Sequence, residues 1–308
     1  MLGRAWPGMI PSAELDNAEA RRGMEGVQIA CGQITWRASG LSEEQVLTEI
    51  AQAGYAGVPA GRAVRSARET LDLYARFGLA PAPGYLGAAY WDEAQAEAIL
   101  QQATALARTM RELGCTELYV AANLTPERRL VAGHVRPQDA LSDAGYRQFA
   151  ATLDRVGAAT LAEGVRICFH NHVGSFIETR EEIDRLFALV DPALVFQGPD
   201  LGHLAWAGDD VVRFCRDYAD SIKTLHIKDI DPAVHTAGVA QGWDYKTFSD
   251  RGIFTELGTG MVDFPAVFDV LAHADFRGWV VVETDVTQRP TALESAQISR
   301  DYLKRIGQ

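Results

Sequence analysis

Eight times along this chain a short apolar run gives way to an amphipathic stretch, with a repeat of about 35 residues. The runs are VQIACGQ (27–33), AGVPAG (56–61), LAPAPGYLG (79–87), TELYVAAN (116–123), VRICFHNH (165–172), LVFQGPD (194–200), IKTLHIKD (222–229) and GWVVVET (278–284). Several are apolar almost throughout, as strands of a parallel sheet covered on both faces must be. Between them lie segments such as SEEQVLTEIAQAG (42–54), where Val46, Leu47 and Ile50 share one helical face. Ser42 with Gln45, and Thr179 with Glu182, have capping-box spacing, and Gly54, Gly78, Gly114 and Gly164 stand where helices should close.

Eight such units predict a (β/α)8 barrel. A doubly wound open sheet would place G-x-G-x-x-G after the first strand, and that motif is absent there. The chain's 308 residues suffice for one barrel or two ordinary domains; the unbroken repeat favours one barrel over 27–308. Residues 1–26 lack the apolar core and cleavage pattern of a secretory signal and read as a mobile extension.

Composition narrows the function. An apolar share of 47% and a charged share of 23% are those of a globular protein, and no apolar run nears the roughly 20 residues that span a bilayer. The net charge of −12 opposes nucleic-acid binding, which draws on lysine and arginine. Cys31, Cys115, Cys168 and Cys215 form no C-x-x-C pair, so buried thiols in a reducing cytoplasm are expected. One connection is out of scale, residues 230–262, and it carries Trp243, Tyr245, Phe248 and Phe254. Its length and aromatic content predict a lid over the barrel mouth.

Chemistry in such barrels sits at the C-terminal strand ends. There the fifth run ends in His170, Asn171 and His172, with Glu178 just beyond. The sixth ends in Asp200 and reaches His203, the seventh carries His226 and Lys228, and the eighth carries Glu283 and Asp285. Residues two apart on a strand face the same way, so His170 and His172 address one site. A lone inward histidine is ordinarily a hydrogen-bonded core group, Asp200 alone would be a helix cap, and Glu283 with Lys228 would be a salt bridge. Together, though, so many acids at one mouth are costly without a cation. The expected ligands are Glu178, Asp200, His226 and Glu283, with a histidine of the fifth run as the substitute for Glu178. This mixed set suits Mn²⁺, Co²⁺, Mg²⁺ or Zn²⁺.

These residues resemble those of the xylose-isomerase-like TIM barrels of sugar isomerases, epimerases and dehydratases. The likeness covers the chain after residue 26 and rests on ITW after the first run, HNHVGSFIETREEID, DLGH, HIKD, and GIFTELGTGMVDF through GWVVVETD. Within that group the inosose dehydratases are the most similar. The resemblance implies one divalent metal, commonly Mn²⁺ or Co²⁺, on Glu178, Asp200, His226 and Glu283. It makes His170, His172, His203 and Lys228 catalytic candidates: His172 or His203 as acid–base groups, Lys228 and His170 orienting the substrate. It implies a small-molecule sugar or cyclitol as partner, with no nucleic acid or membrane; a homodimer is open. The implied reaction is dehydration of a keto-sugar or ketocyclitol through an enediolate-like intermediate. Two alternatives are a ketose isomerase or 3-epimerase, in which Glu178 and Glu283 exchange protons, and an endonuclease-IV-like nuclease. A third is a non-catalytic sugar-binding barrel. Pro59 stands where many relatives end the second strand in glutamate, and ELGTG (256–260) is a candidate source of backbone N–H groups for an anionic substrate.

Overall fold

The computed structural model describes Met24, 26–60 and 65–308; the expected N-terminal extension lies almost wholly outside the described residues. Eight parallel staves stand in chain order. They are β1 (Val27–Cys31), β2 (Gly57–Pro59), the pair β3 (Ala80–Ala82) and β4 (Tyr85–Ala88), β5 (Glu117–Ala122), β6 (Arg166–His170), β7 (Val195–Gln197), β8 (Leu225–Ile227) and β11 (Gly278–Val282). β1 pairs with β2 on one side and with β11 on the other, Val27 opposite Gly278 and Cys31 opposite Val282. First and last staves are therefore neighbours, and the sheet closes on itself.

The third stave, read as one run in the sequence, is two strands. β3 belongs to the arc β3-β2-β1-β11-β8 and β4 to the arc β4-β5-β6-β7. Pro83, with no N–H to give the ladder, and Gly84 fall between them. On the far side the arcs meet through two single parallel bridges, Gln197–Ile222 and Asp200–His226.

Helices cover the staves. Glu43–Ala53 begins at the Ser42–Gln45 capping box and buries Val46, Leu47 and Ile50, each contributing about 1.5–3 kcal/mol as it leaves water. The Thr179–Glu182 box opens Arg180–Phe187 in the same way. Ala30, Ala82, Tyr119, Trp279 and Val281 pack together inside the barrel, and Tyr119 bonds Thr224 there at 2.5 Å. They form a floor beneath the polar ring. All four cysteines are buried and unpaired, and no helix among the described residues is long and apolar enough to cross a membrane.

The long connection is ordered. β9 (Asp229–Ile230) pairs antiparallel with β10 (Phe254–Thr255), and two helices, Pro232–Gln241 and Tyr245–Asp250, lie between them. Asp229 anchors the chain beyond β10. Its buried carboxylate accepts four backbone N–H bonds, from Ile230 and Val262 on one oxygen and from Gly258 and Gly260 on the other, at 2.9–3.0 Å. This corrects the expectation for ELGTG: its N–H groups face an anion, but that anion is the chain's own aspartate. Burial pushes the Asp229 carboxyl upward while those four donors pull it down. Asp229→Asn turns an amide N–H toward existing donors. It should cost about 1–3 kcal/mol, read from the urea midpoint, and speed amide exchange at Gly258, Gly260 and Val262.

Candidate metal centre at the barrel mouth

Strand alternation brings the polar groups together. On β8 and its continuation Thr224, His226 and Lys228 share a face, and beyond β11 so do Glu283 and Asp285. The bridge between Asp200 and His226 makes these two backbone partners. Asn171 fixes the stretch by accepting from Asp200 N at 3.0 Å and donating to Asp200 O at 3.3 Å. Asp200 also caps the next helix, accepting from His203 N at 3.0 Å. His170, Asp200 and His226 offer ligand atoms within 4.8 Å of one another, and Glu283 Oε2 lies 3.2 Å from His226 Nδ1. The rings of His170 and His226 stand 4.7 Å apart, each edge-on to Tyr119 below.

Lys228 lies at the centre. Its ammonium donates to Asp200 Oδ2 at 2.6 Å and Glu283 Oε2 at 2.7 Å, and meets Asp285 Oδ1 at 3.3 Å. Burial alone would strip the proton from this lysine, but Asp200, Asp285 and Glu283 hold its pKa well above the ordinary lysine value. Burial likewise opposes the charge on Glu283, and Lys228 and His226 overcome it, keeping that carboxyl well below the usual range. Asp285 goes the other way, pushed up to about 6 by burial against the pull of Lys228. The Glu283–Lys228 salt bridge weighed from the sequence is therefore present. Yet three carboxylates face one ammonium, leaving two negative charges uncompensated.

A second group adjoins the first. His172, His203 and Asp285 bring ligand atoms within 4.8 Å of one another, with the two imidazoles 3.6 Å apart. His172 Nδ1 lies 2.7 Å from the Val173 carbonyl, so that nitrogen carries the proton and Nε2 keeps its lone pair. Burial and Lys228 push His172 down to about 4; burial, then His172 and Lys228, push His203 well below the ordinary value. Both rings are neutral at pH 7. Tyr245, from the second helix of the long connection, stacks over His172 at 6.2 Å. Asp285 was visible at the eighth strand end but was not counted among the site residues. The period of two that paired His170 with His172 pairs it equally with Glu283.

Glu178 is not with the others. Its oxygens accept from Gly133 N and Gly174 N, both at 2.7 Å, with Arg128 3.6 Å away. Arg128 is itself doubly bonded to Glu182. Glu178 thus ties two loops together, while His170, the fifth-run histidine held as its substitute, offers a ligand atom beside Asp200 and His226. Burial raises the Glu178 carboxyl to about 7, against Arg128 and the two N–H donors.

The charged groups fit only because glycine faces them. A Cβ at Gly32 would collide with the Glu283 carboxylate, and one at Gly202 with Lys228 Cβ. Two cavities open beside the cluster. One of about 490 Å³ touches Glu283, Tyr85, Pro59 and Arg37, and one of about 620 Å³ touches Asp285, Tyr245, Trp36 and Arg37.

The donor chemistry fits a divalent cation. Imidazole and carboxylate donors converge, two negative charges lack compensation, and buried nitrogens on His170, His203 and His226 have no hydrogen-bond partner among the described residues. Such atoms cost about 1–3 kcal/mol each unless something meets them.

Fold and site together define a class. Residues 18–306 match the profile of the xylose isomerase-like TIM barrel family, and the chain belongs to it. It is 30% identical over 277 residues to an inosose dehydratase of Geobacillus kaustophilus (strain HTA426), covering 86% of this chain and 87% of that one. It is 31% identical over 281 residues to the rhizopine catabolism protein MocC of Rhizobium meliloti, covering 86% and 83%. Among solved structures, the IOLI protein with a bound zinc atom superposes with a TM-score of 0.67 at 16% identity, over 91% of this chain and 98% of that one. The probable 3-DHS dehydratase AsbF of Bacillus anthracis does so with 0.68 at 13%, over 90% and 98%.

Gly32→Ala should displace the Glu283 carboxylate and weaken divalent-metal affinity about 10- to 100-fold, measured by competition with a chelating dye. The Glu178 shift has a sign that titration can check. Its folded pKa lies above the unfolded value of 4.5, so its contribution is fully present below about pH 4.5 and is lost as pH rises through about 7. Glu178→Gln should therefore flatten the decline in stability between pH 5 and 8, read as urea midpoints beside the unmodified protein.

Proposed function

We infer that this barrel is a divalent-metal-dependent lyase that removes water from a ketocyclitol or keto-sugar, an activity of the inosose dehydratase kind. The observation carrying this reading is the charge at the mouth: three carboxylates against one buried ammonium, with unpartnered imidazole nitrogens among them. One divalent cation balances it. His170, Asp200, His226 and Glu283 would hold the ion; the donor set favours Mn²⁺ or Co²⁺, with Zn²⁺ as carried by the IOLI structure and Mg²⁺ next. When bound, the cation polarises a ketone and its neighbouring hydroxyl and so acidifies the carbon between them.

The remaining work falls to the chain. Lys228, whose ammonium meets Asp200, Glu283 and Asp285, fixes those acids and presents its donors to the substrate's oxygens. His172 Nε2, unprotonated and with its other nitrogen on Val173 O, accepts the proton from the acidified carbon. Once protonated at Nε2, His172 returns that proton to the departing hydroxyl, and the His203 ring lies against it. His170 orients the ion and the substrate together. Tyr245 closes the site from outside, and the segment 230–262 acts as the lid that shuts bulk water out.

The two-carboxylate exchange of an epimerase loses its second member, because both Glu178 oxygens are bonded to backbone N–H groups. The net charge of −12 still weighs against a nucleic-acid substrate.

The test combines metal content with product. Purified protein should carry about one divalent ion per chain by elemental analysis and convert 2-keto-myo-inositol to a product lighter by one water. Isomer formation without mass change rejects the lyase. Asp200→Asn and His226→Ala should each lose the ion and lower kcat/KM by about 100-fold or more, and His172→Asn should keep the ion while kcat falls. Unaltered metal content in the first two variants would overturn the ligand assignment.

A further inference from the structure

We propose that the cavity beside Asp285 is a subsite for a second sugar ring, so that the natural substrate is a ketone-bearing ring joined to another polyhydroxylated ring. The proposal rests on the functional reading above and names its substrate class more closely.

Size comes first. The cavity holds about 620 Å³, within the ~300–1,000 Å³ of clefts that enclose small ligands, so it has room for a ring beyond the one at the ion. Position comes next. Its inner end is Asp285, Tyr245 and Phe254, already part of the cluster and its cover; its outer walls are the segment after β1 and the segment 286–292. Asp285 borders this space and meets Lys228 at 3.3 Å, so a substituent on a ring held at the cluster has this cavity next to it.

The walls have the right chemistry. A sugar ring presents an apolar C–H face and a rim of hydroxyls. Val286, 43% exposed, and Ile34 supply apolar wall. Arg37 supplies donors: it borders both cavities, is exposed and has no ion-pair partner among the described residues. Glu49 gives one oxygen to Trp36 Nε1 at 2.6 Å and keeps the other as an acceptor. The dehydration itself uses none of these four residues.

The test compares two ligands that lack the ketone and so do not turn over, myo-inositol and its galactoside galactinol. Binding to manganese-loaded protein is measured by calorimetry. Galactinol should bind about tenfold tighter or better. Ala38→Trp, at an exposed wall position where folding is not at stake, should bring the ratio of affinities close to one. Arg37→Ala should lower the ratio severalfold. Equal affinities in the unmodified protein, or a ratio that neither variant moves, overturn the subsite and leave the functional reading standing. Failure of galactinol to bind the metal-loaded protein likewise overturns the subsite, while the lyase reading stands or falls on the product assay.

Discussion

A lysine ammonium buried among three carboxylates is the constraint around which the barrel mouth is arranged. Removing a charge from water costs several kcal/mol even after relaxation, and it is tolerated here because Asp200, Glu283 and Asp285 stand within 3.3 Å of Lys228. The dependence is mutual, since without the lysine those acids would repel one another and take up protons. Asp200 follows the sixth stave, Lys228 the seventh, and Glu283 and Asp285 the eighth, so the electrostatics hold only if the staves keep register. The closure of β1 on β11, the single bridge joining Asp200 to His226, and the Tyr119 floor all serve that end.

The balance stops short of neutrality. A purely structural cluster gives its carboxylate oxygens N–H donors; this one sets three carboxylates against one ammonium and leaves imidazole nitrogens unmet. The Arg128–Glu178–Glu182 network nearby shows what a structural buried cluster looks like in the same chain. There each carboxylate oxygen of Glu178 and Glu182 has an N–H donor and the guanidinium is bonded bidentately to Glu182, with Arg128 Nε alone left unpartnered. The two clusters differ in completeness, and the incomplete one is where a ligand belongs.

Most of this was legible in residue order because strand periodicity is short and strict. A period of two is enough to put His170 with His172, and His226 with Lys228, on one face. Apolar runs separated by capped helices are enough to count eight staves. What escaped depends on backbone outside regular structure. Glu178 follows a strand end and precedes a capping box, a setting that suits a ligand equally well; only the approach of Gly133 and Gly174 shows that its oxygens are taken. The break in the third stave turns on whether a proline interrupts a strand or merely edges it, and the run LAPAPGYLG allows either. The N–H groups of ELGTG look like an anion cradle, and they are one, but no local pattern tells that Asp229, almost thirty residues earlier, fills it.

Gly32 and Gly202 leave room for Glu283 and Lys228, and this ties the end of the first stave to the eighth, and the helix after the sixth to the seventh. A homologue that gains a methyl at position 32 has two ways to keep a cation: shorten the acid opposite from glutamate to aspartate, or recruit a ligand from another stave. Divergence at the mouth should thus proceed by paired exchange. Where a larger residue stands at the first stave's end, a shorter acid or a different ion is the mark to look for.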